Sequence, residues 1–287
     1  VKAVITIAGF GTRFLPASKA IPKEMFPIAG VPLIQHHIED LGAAGITDIA
    51  VVVRDGADVI ERHFSPAPDL ESHLAARGQS GLLTEVQRLS DLADITMIRQ
   101  PDDLPYGNAS PALAARSWLG DDDFYYQFGD DIVLADDPVP RQMLASFSDH
   151  RPAALVAAQE VPEEETSLYG CLELEPGSSF RITRIVEKPP PGTAPSNLAQ
   201  IGHFVFTSQV FDVLDTLDLG KQGELWLADA VDHLASRSTV IAHPIDGLWL
   251  AAGDPLRHLM ADIEACLRHP EMRDDLLEFL RSLDLGS

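Results

Sequence analysis

The residues best equipped for chemistry stand near the start of the chain, where Gly9-Phe10-Gly11-Thr12-Arg13 is followed by Pro16, Lys19 and then Pro22-Lys23-Glu24-Met25-Phe26-Pro27. Such a loop suits a polyphosphate: small residues let backbone N–H groups approach its oxygens, while Arg13 and Lys23 offset developing negative charge. Two familiar nucleotide motifs do not fit. A P-loop requires Gly-Lys-Ser/Thr after its second glycine, and a dinucleotide fingerprint requires a third glycine where Phe14 stands. A bare Gly-x-Gly is also an ordinary turn with surface cations. The ordered Thr-Arg and Pro-Lys-Glu that follow make the phosphate reading more specific.

Two charged clusters lie further along. Asp130 and Asp131 follow the apolar run Phe124 to Phe128 and Gly129, which places two carboxylates at the C-terminal edge of a strand, where ligands of open α/β sheets collect. Mg²⁺ prefers oxygen ligands and takes one or two carboxylates together with substrate phosphates, so Asp130 or Asp131 suits it; a solvated turn is the plainer alternative. Glu187-Lys188 ends another strand-like run and reads equally as an exposed ion pair. A phosphate monoester is already an anion near neutral pH. As a nucleophile it therefore needs positioning and charge neutralisation more than a strong base. The histidines show no metal spacing, no Ser/His/Asp or Cys/His nucleophile stands out, and Trp226 and Trp249 read as packing residues.

These residues need a scaffold, and the apolar pattern supplies one. Strand runs at Val1 to Ala8, Ile49 to Val53, Ile95 to Arg99 and Phe124 to Phe128 alternate with helical spacing at Pro32 to Ala44, Asp58 to Phe64, Gly81 to Leu92 and Ser110 to Trp118. From Ala153 the pattern turns to strands, at Ala153 to Gln159, Gly170 to Leu174, Ile182 to Glu187 and Ile201 to Phe206. Helices are expected at Trp226 to Leu234 and Leu256 to Leu285, the latter with Pro270 as a break point.

The 287 residues are 45% apolar, and 44 acidic against 21 basic side chains give a net charge of -23. That charge opposes non-specific binding to nucleic acid or an anionic membrane. No run approaches the roughly 18 apolar residues of a membrane span, and VKAVITIAGFGTRFLP shows no small-residue cleavage pattern, so a cytoplasmic protein is expected. Cys171 and Cys266 read as reduced, packed thiols.

The ordered series GFGTRFLPASKAIPKEMFPIAGVPLIQ, AAGITDI, LLTEVQ, the GDD, Tyr169-Gly170, VEKP, PSNLA, IGHFVF and ELWLADAV resembles the bacterial UTP:glucose-1-phosphate uridylyltransferases, within the sugar-nucleotide pyrophosphorylases. The resemblance implies an α/β fold with a Rossmann-like mixed, mainly parallel sheet and helices on both faces, a small β-rich sugar-side subregion and a helical C-terminus. It implies a catalytic domain over 1–253, with a nucleotide part at 1–150 and a sugar-phosphate part at 151–253, and a helical extension at 254–287. Ala8, Gly9, Gly11 and Thr12 would approach the nucleotide, Arg13 and Lys23 would hold phosphates, and Gln100 with Gly107 would face the base. Asp130 matches the Mg²⁺ ligand. Glu187 would accept sugar hydroxyls and Lys188 would hold the sugar phosphate, with Gly170, Asn197 and Glu224 lining the same pocket. The implied reaction couples UTP with glucose 1-phosphate through in-line attack on the α-phosphorus, expelling pyrophosphate. A homo-oligomer, dimer or tetramer, is also implied, and the amphipathic C-terminal pattern agrees with it.

Three positions depart from the family pattern. Ala251 stands where an aspartate supplies a second metal ligand, which leaves Asp130 alone or assisted by Asp131, Asp246 or Asp254. Leu104 to Asn108 lacks the family's lysine and histidine while keeping Gly107, and Trp226 with Ala228 replaces an amide and a hydroxyl on the sugar side. Loss of hydroxyl-binding groups changes selectivity. The same chemistry with another NTP or sugar-like phosphate, and a weakly active or non-catalytic paralogue, therefore stand as alternatives.

Overall fold

The computed structural model describes residues 1–54, 57–220 and 223–283. Its first strand, β1 (Lys2–Ile7), is buried over most of its length, as an unbroken apolar run requires. The chain then passes through three short 3₁₀ turns and a hairpin, β2 (Pro27–Ile28) with β3 (Val31–Pro32), into α1 (Leu33–Ala43). Leu33, Ile34, His37, Ile38 and Leu41 are its buried face, and Gly45 at φ +82° turns the chain into β4 (Asp48–Val53). Three helices follow, α2 (Ala57–His63), α3 (Pro68–Ala76) and α4 (Ser80–Leu89), and then β5 (Asp94–Arg99) and α5 (Ser110–Leu119). The first half closes with β6 (Phe124–Phe128), β7 (Asp131–Leu134) and α6 (Val139–His150).

The second half contributes β8 (Ala154–Glu160), β9 (Gly170–Leu174), β10 (Ile182–Glu187), β11 (Leu198–Phe206), α7 (Gln209–Leu214) and α8 (Leu227–Ala235). It ends with β12 (Val240–Pro244), β13 (Leu248–Ala251), α9 (Pro255–Arg268) and α10 (Arg273–Ser282). Strands β5, β4, β1 and β6 are parallel neighbours, β11 pairs antiparallel with β6, and β8, β9, β10 and β12 extend the same nine-stranded sheet. One sheet thus continues across residue 150. The α/β class and the mixed sheet agree with the sequence reading.

Strand alternation divides the core. Val4, Val52, Phe124, Tyr126, Phe204 and Phe206 face one side with residues of α5, α7 and α8, while Ile5, Val51, Tyr125 and Val205 face the other with α1 and α6. A smaller cluster of Ile28, Leu33, Ile132, Ala252, Ala261 and Ala265 seats α9. The backbone N–H of Ala29 donates to Asp262 Oδ1 at 2.7 Å beside it. The helical region expected over Leu256 to Leu285 is two helices, with the expected break at Pro270 lying between α9 and α10; residue 285 falls outside the described residues. The cause is the missing N–H and the ring of proline.

Candidate active site

Beyond the C-terminal ends of the parallel strands lies a cleft of about 660 Å³. Chain leaving β1, β4, β5 and β6 puts Ala8, Arg54, Gln100 and Asp130 on its wall. The loop after β1 turns at Gly11, where φ is +60° and an added Cβ would sit 3.1 Å from Ser18 Cβ. Ser18 Oγ donates to the Gly11 carbonyl at 2.7 Å, which holds the loop curled and leaves Gly9, Gly11 and Thr12 lining the cleft.

The floor is a short turn held on several sides. Gly129 N–H donates to Thr6 O at 3.0 Å, and Ala252 N–H donates to Asp130 O at 2.8 Å. An added Cβ at Gly129 would strike Ile7, so the residue must be glycine. His37, reaching up from α1, contacts Gly129 O through Nε2 at 3.1 Å and Gln127 Nε2 through Nδ1 at 2.5 Å. A carbonyl only accepts, so Nε2 carries the proton and Nδ1 accepts from the amide. Burial drives the His37 pKa down to about 4, which keeps this ring neutral.

Asp130 is the carboxylate presented to the cleft. Lys23 Nζ lies 2.5 Å from its Oδ2 and 3.8 Å from Glu24 Oε1. Burial opposes ionisation of Asp130, but Lys23 and Arg13 hold its carboxyl below its ordinary value. Burial likewise works against the charged Lys23, yet Asp130 and Glu24 raise its pKa. Glu24 is buried, and desolvation pushes it up to about 7 despite Lys23. Asp131 also lines the cleft and accepts from Gly202 N–H at 2.9 Å; burial and the Asp130 charge push it up to about 7. Arg13 Nη1 donates to Gly253 O at 3.4 Å.

Position 251 lies opposite Asp131 in the β13–β7 register and lines the cleft with only a methyl group. Of the other carboxylates weighed as replacements, Asp131 and Asp254 also line the cleft but are hydrogen-bonded to their neighbours. Asp254 caps α9 by accepting from Arg257 N–H at 3.0 Å and Arg257 Nη1 at 3.2 Å, and Asp246 is not among the lining residues. Among the described residues no group of three or more His, Cys, Asp or Glu forms a metal cage. A single open carboxylate still fits Mg²⁺, which keeps waters and substrate phosphates as its remaining ligands.

On the wall expected to face the base, Gln100 is 2% exposed, its N–H donates to Val53 O at 2.7 Å, and its Oε1 has no partner among the described residues. Gly107 has φ +141°, and an added Cβ would collide with the Leu225 backbone, so only glycine fits there. On the opposite side, Gly170 and Glu187 face each other in the β9–β10 register. Lys188 Nζ is 3.7 Å from Glu187 Oε1 and 4.8 Å from the centre of the Trp226 ring. The Lys188 backbone has φ +45°, and its N–H donates to Tyr169 O at 3.1 Å. Glu224 lines the same wall.

Ala8, Gly9, Gly11, Thr12, Arg13, Lys23, Gln100, Gly107, Asp130, Gly170, Glu187, Lys188 and Glu224 thus share one cleft. Asn197 does not join them. It precedes β11, is exposed, and gives its carbonyl to Val161 N–H at 2.9 Å. Three residues later Gln200 is turned inward and donates from Nε2 to Glu187 Oε2 at 3.3 Å. Trp226, read as packing, lines the cleft, as does Trp249, which packs edge-on against Tyr169. Sequence reasoning also missed Glu24, Arg54 and Arg257; the buried acid was visible only as part of the Pro-Lys-Glu motif.

The sequence model of the family described as Nucleotidyl transferase matches residues 2–260. The chain is 40% identical over 284 residues to the UTP--glucose-1-phosphate uridylyltransferase of Bacillus subtilis (strain 168), covering 98% of this chain and 96% of that protein. It superposes on the UTP-bound UGPase from Acinetobacter baumannii with a TM-score of 0.88 at 30% identity, covering 98% and 99% of the two chains. A UDP-glucose pyrophosphorylase complexed with UDP-glucose gives 0.83 at 29% identity, covering 93% of this chain and 99% of that one.

Proposed function

The chain belongs to the nucleotidyl transferase family, and from that premise we propose that it couples UTP to glucose 1-phosphate, giving UDP-glucose and pyrophosphate. The observation that carries this reading is the sharing of one cleft by a curled glycine loop with Arg13, Lys23 and Asp130 at one end and Glu187-Lys188 at the other. The curated relative is named for this reaction, and the two solved neighbours hold UTP and UDP-glucose.

In this reading the triphosphate lies along Gly9 to Arg13, and Gln100 Oε1 accepts from the imide N–H of uracil. A buried acceptor without a partner discriminates strongly, because a base lacking that N–H leaves it unsatisfied. Lys188 holds the phosphate of glucose 1-phosphate and Glu187 accepts from sugar hydroxyls. A phosphate oxygen of that monoester attacks the α-phosphorus in line; the bond to the β-phosphate bridging oxygen breaks, and pyrophosphate leaves with the electron pair. Arg13 and Lys23 neutralise charge gathering on the phosphates, Lys23 exchanging Asp130 for phosphate oxygens as they arrive. Asp130 would hold Mg²⁺, which supplies Lewis-acid stabilisation of phosphate oxygens. No enzyme-bound covalent intermediate is required.

The test is identification of the product by mass and chromatography after incubation with UTP, Mg²⁺ and glucose 1-phosphate. UDP-glucose is the expected product, and its absence with both substrates present contradicts the reading. A cytoplasmic setting and a homo-oligomer complete the proposal. The exposed Leu256, Leu259, Met260 and Phe279 on α9 and α10 support association, and a monomer by light scattering at micromolar concentration would contradict it.

A further inference from the structure

The wall of the cleft assigned to the base and the wall assigned to the sugar phosphate are joined to each other, and one side chain takes part in the join. The loop over residues 104–109 and the segment 224–227 that leads into α8 exchange backbone hydrogen bonds, Leu225 N–H to Tyr106 O at 2.7 Å and Ala109 N–H to Leu225 O at 3.2 Å. Gly107 fits between them only because it lacks a Cβ. Asn108 completes the join. Its side-chain oxygen accepts from Leu227 N–H at 2.7 Å, and its carbonyl accepts from the hydroxyl of fully buried Tyr126 at 2.5 Å.

Leu227 is the first residue of α8, and Trp226 immediately precedes it with no side-chain cap of its own. A helix start leaves its first N–H groups without intrahelical partners, and an Asn oxygen is among the favoured acceptors for them. Here that acceptor comes from a loop 119 positions away in sequence. The consequence falls on Trp226, whose backbone is held at φ −95° and ψ 134° and whose ring lies beneath the Lys188 ammonium. Both oxygens of Asn108 are therefore turned to α8 and the sheet, although the residue belongs to the base-side loop.

We infer that Asn108 is a positioning residue for the sugar-phosphate half of the site: by fixing the start of α8 it sets Trp226 under Lys188, and it makes the base loop and the sugar-phosphate wall one mechanical unit. This rests on the uridylyltransferase reading. The base-loop departure at Asn108 then bears on the departure at Trp226, since the N–H that Asn108 holds belongs to Leu227, the residue next to Trp226.

The experiment measures kcat and KM for each substrate, with thermal unfolding alongside, for wild type, Asn108→Ala, Asn108→Asp and Trp226→Leu. Asn108→Ala should raise the KM for glucose 1-phosphate roughly tenfold, the scale of one lost capping hydrogen bond, while the KM for UTP stays within about twofold. Asn108→Asp keeps an acceptor oxygen and should restore most of the glucose 1-phosphate KM. Trp226→Leu should reproduce the Asn108→Ala effect, and the double variant should be no worse than Trp226→Leu alone, as expected for residues acting in series. A larger effect on UTP than on glucose 1-phosphate, additive effects in the double variant, no rescue by aspartate, or no change in either KM overturns the inference. If Asn108→Ala does not fold, Asn108→Asp and Trp226→Leu decide it by the same KM comparison. Absence of turnover by the wild type overturns the substrate reading and this inference with it, whereas wild-type turnover with any of the contrary variant results overturns the inference alone.

Discussion

Lys23 Nζ lies 2.5 Å from Asp130 Oδ2, so the cation proposed to bind phosphate and a carboxylate of the cleft neutralise each other. The pair keeps both charges formed in a partly enclosed site, where an isolated charge is costly. In the proposed reaction substrate phosphates and a divalent cation would take over the two halves of the pair.

Removing that carboxylate tests the arrangement. Asp130→Ala should lower kcat by at least about a hundredfold, the usual cost of deleting one group that stabilises transition-state charge. Pyrophosphate release at saturating substrates reads it. An unchanged rate would show that the cation needs no carboxylate here, or that Asp131 replaces it.

In the proposed reading Lys188 holds the sugar phosphate and not the triphosphate. Lys188→Ala should raise the KM for glucose 1-phosphate by about tenfold or more while the KM for UTP changes by less than about twofold, because a lost charged hydrogen bond acts only on the ligand that made it. Initial rates with each substrate varied in turn give the comparison. An effect confined to UTP would place Lys188 on the wrong phosphate.

Gln200 and Asn197 separate inward from outward side chains at the start of one strand. Gln200→Ala breaks the 3.3 Å hydrogen bond to Glu187 and should raise the glucose 1-phosphate KM several-fold. Asn197→Ala, at an exposed position, should leave it within about twofold. The reverse order of effects would restore Asn197 to the pocket.

His37 gives a pH signature in stability. Its folded pKa is depressed from 6.5 to about 4 by burial. A depressed value means the neutral ring contributes its full stability above pH 6.5 and loses it as pH falls toward 4, since the unfolded chain takes up the proton first. Glu24 and Asp131, raised to about 7, act in the opposite direction over the same range, so the difference between proteins is the informative quantity. Urea midpoints of His37→Gln and wild type, measured from pH 7 down to pH 4.5, should converge as the pH falls. A constant gap would show that His37 does not titrate on unfolding.

The parts of the fold that were legible in sequence are those set by local pattern. β1 and β4 are unbroken apolar runs, and α1 carries its buried residues at helical spacing, so each element announces itself within a dozen residues. β7 and β13 escaped notice because each is four residues long and gains its meaning only by pairing with the other, more than a hundred positions away. α6 was also missed, its start crowded with Pro138 and Pro140. The site follows the same rule. Gly9 to Lys23 is contiguous and readable, whereas His37 looks like any buried helix residue until the fold lays it under Gly129. Asn197 and Gln200 differ only in which way the chain entering β11 turns them. Ala251 was noticed as a missing carboxylate, but only the register shows that Asp131 lies directly opposite it.

The most direct test of the account is the initial rate of pyrophosphate release with Mg²⁺, each of the four NTPs, and glucose 1-phosphate beside a panel of other sugar phosphates. Release is expected with UTP and glucose 1-phosphate at a rate well above every other pair, and at least about a hundredfold lower in Asp130→Ala. Release only with another NTP or another sugar phosphate would contradict the assignment of Gln100 or of the Glu187-Lys188 wall, and no release from a folded protein that binds UTP would contradict catalysis itself.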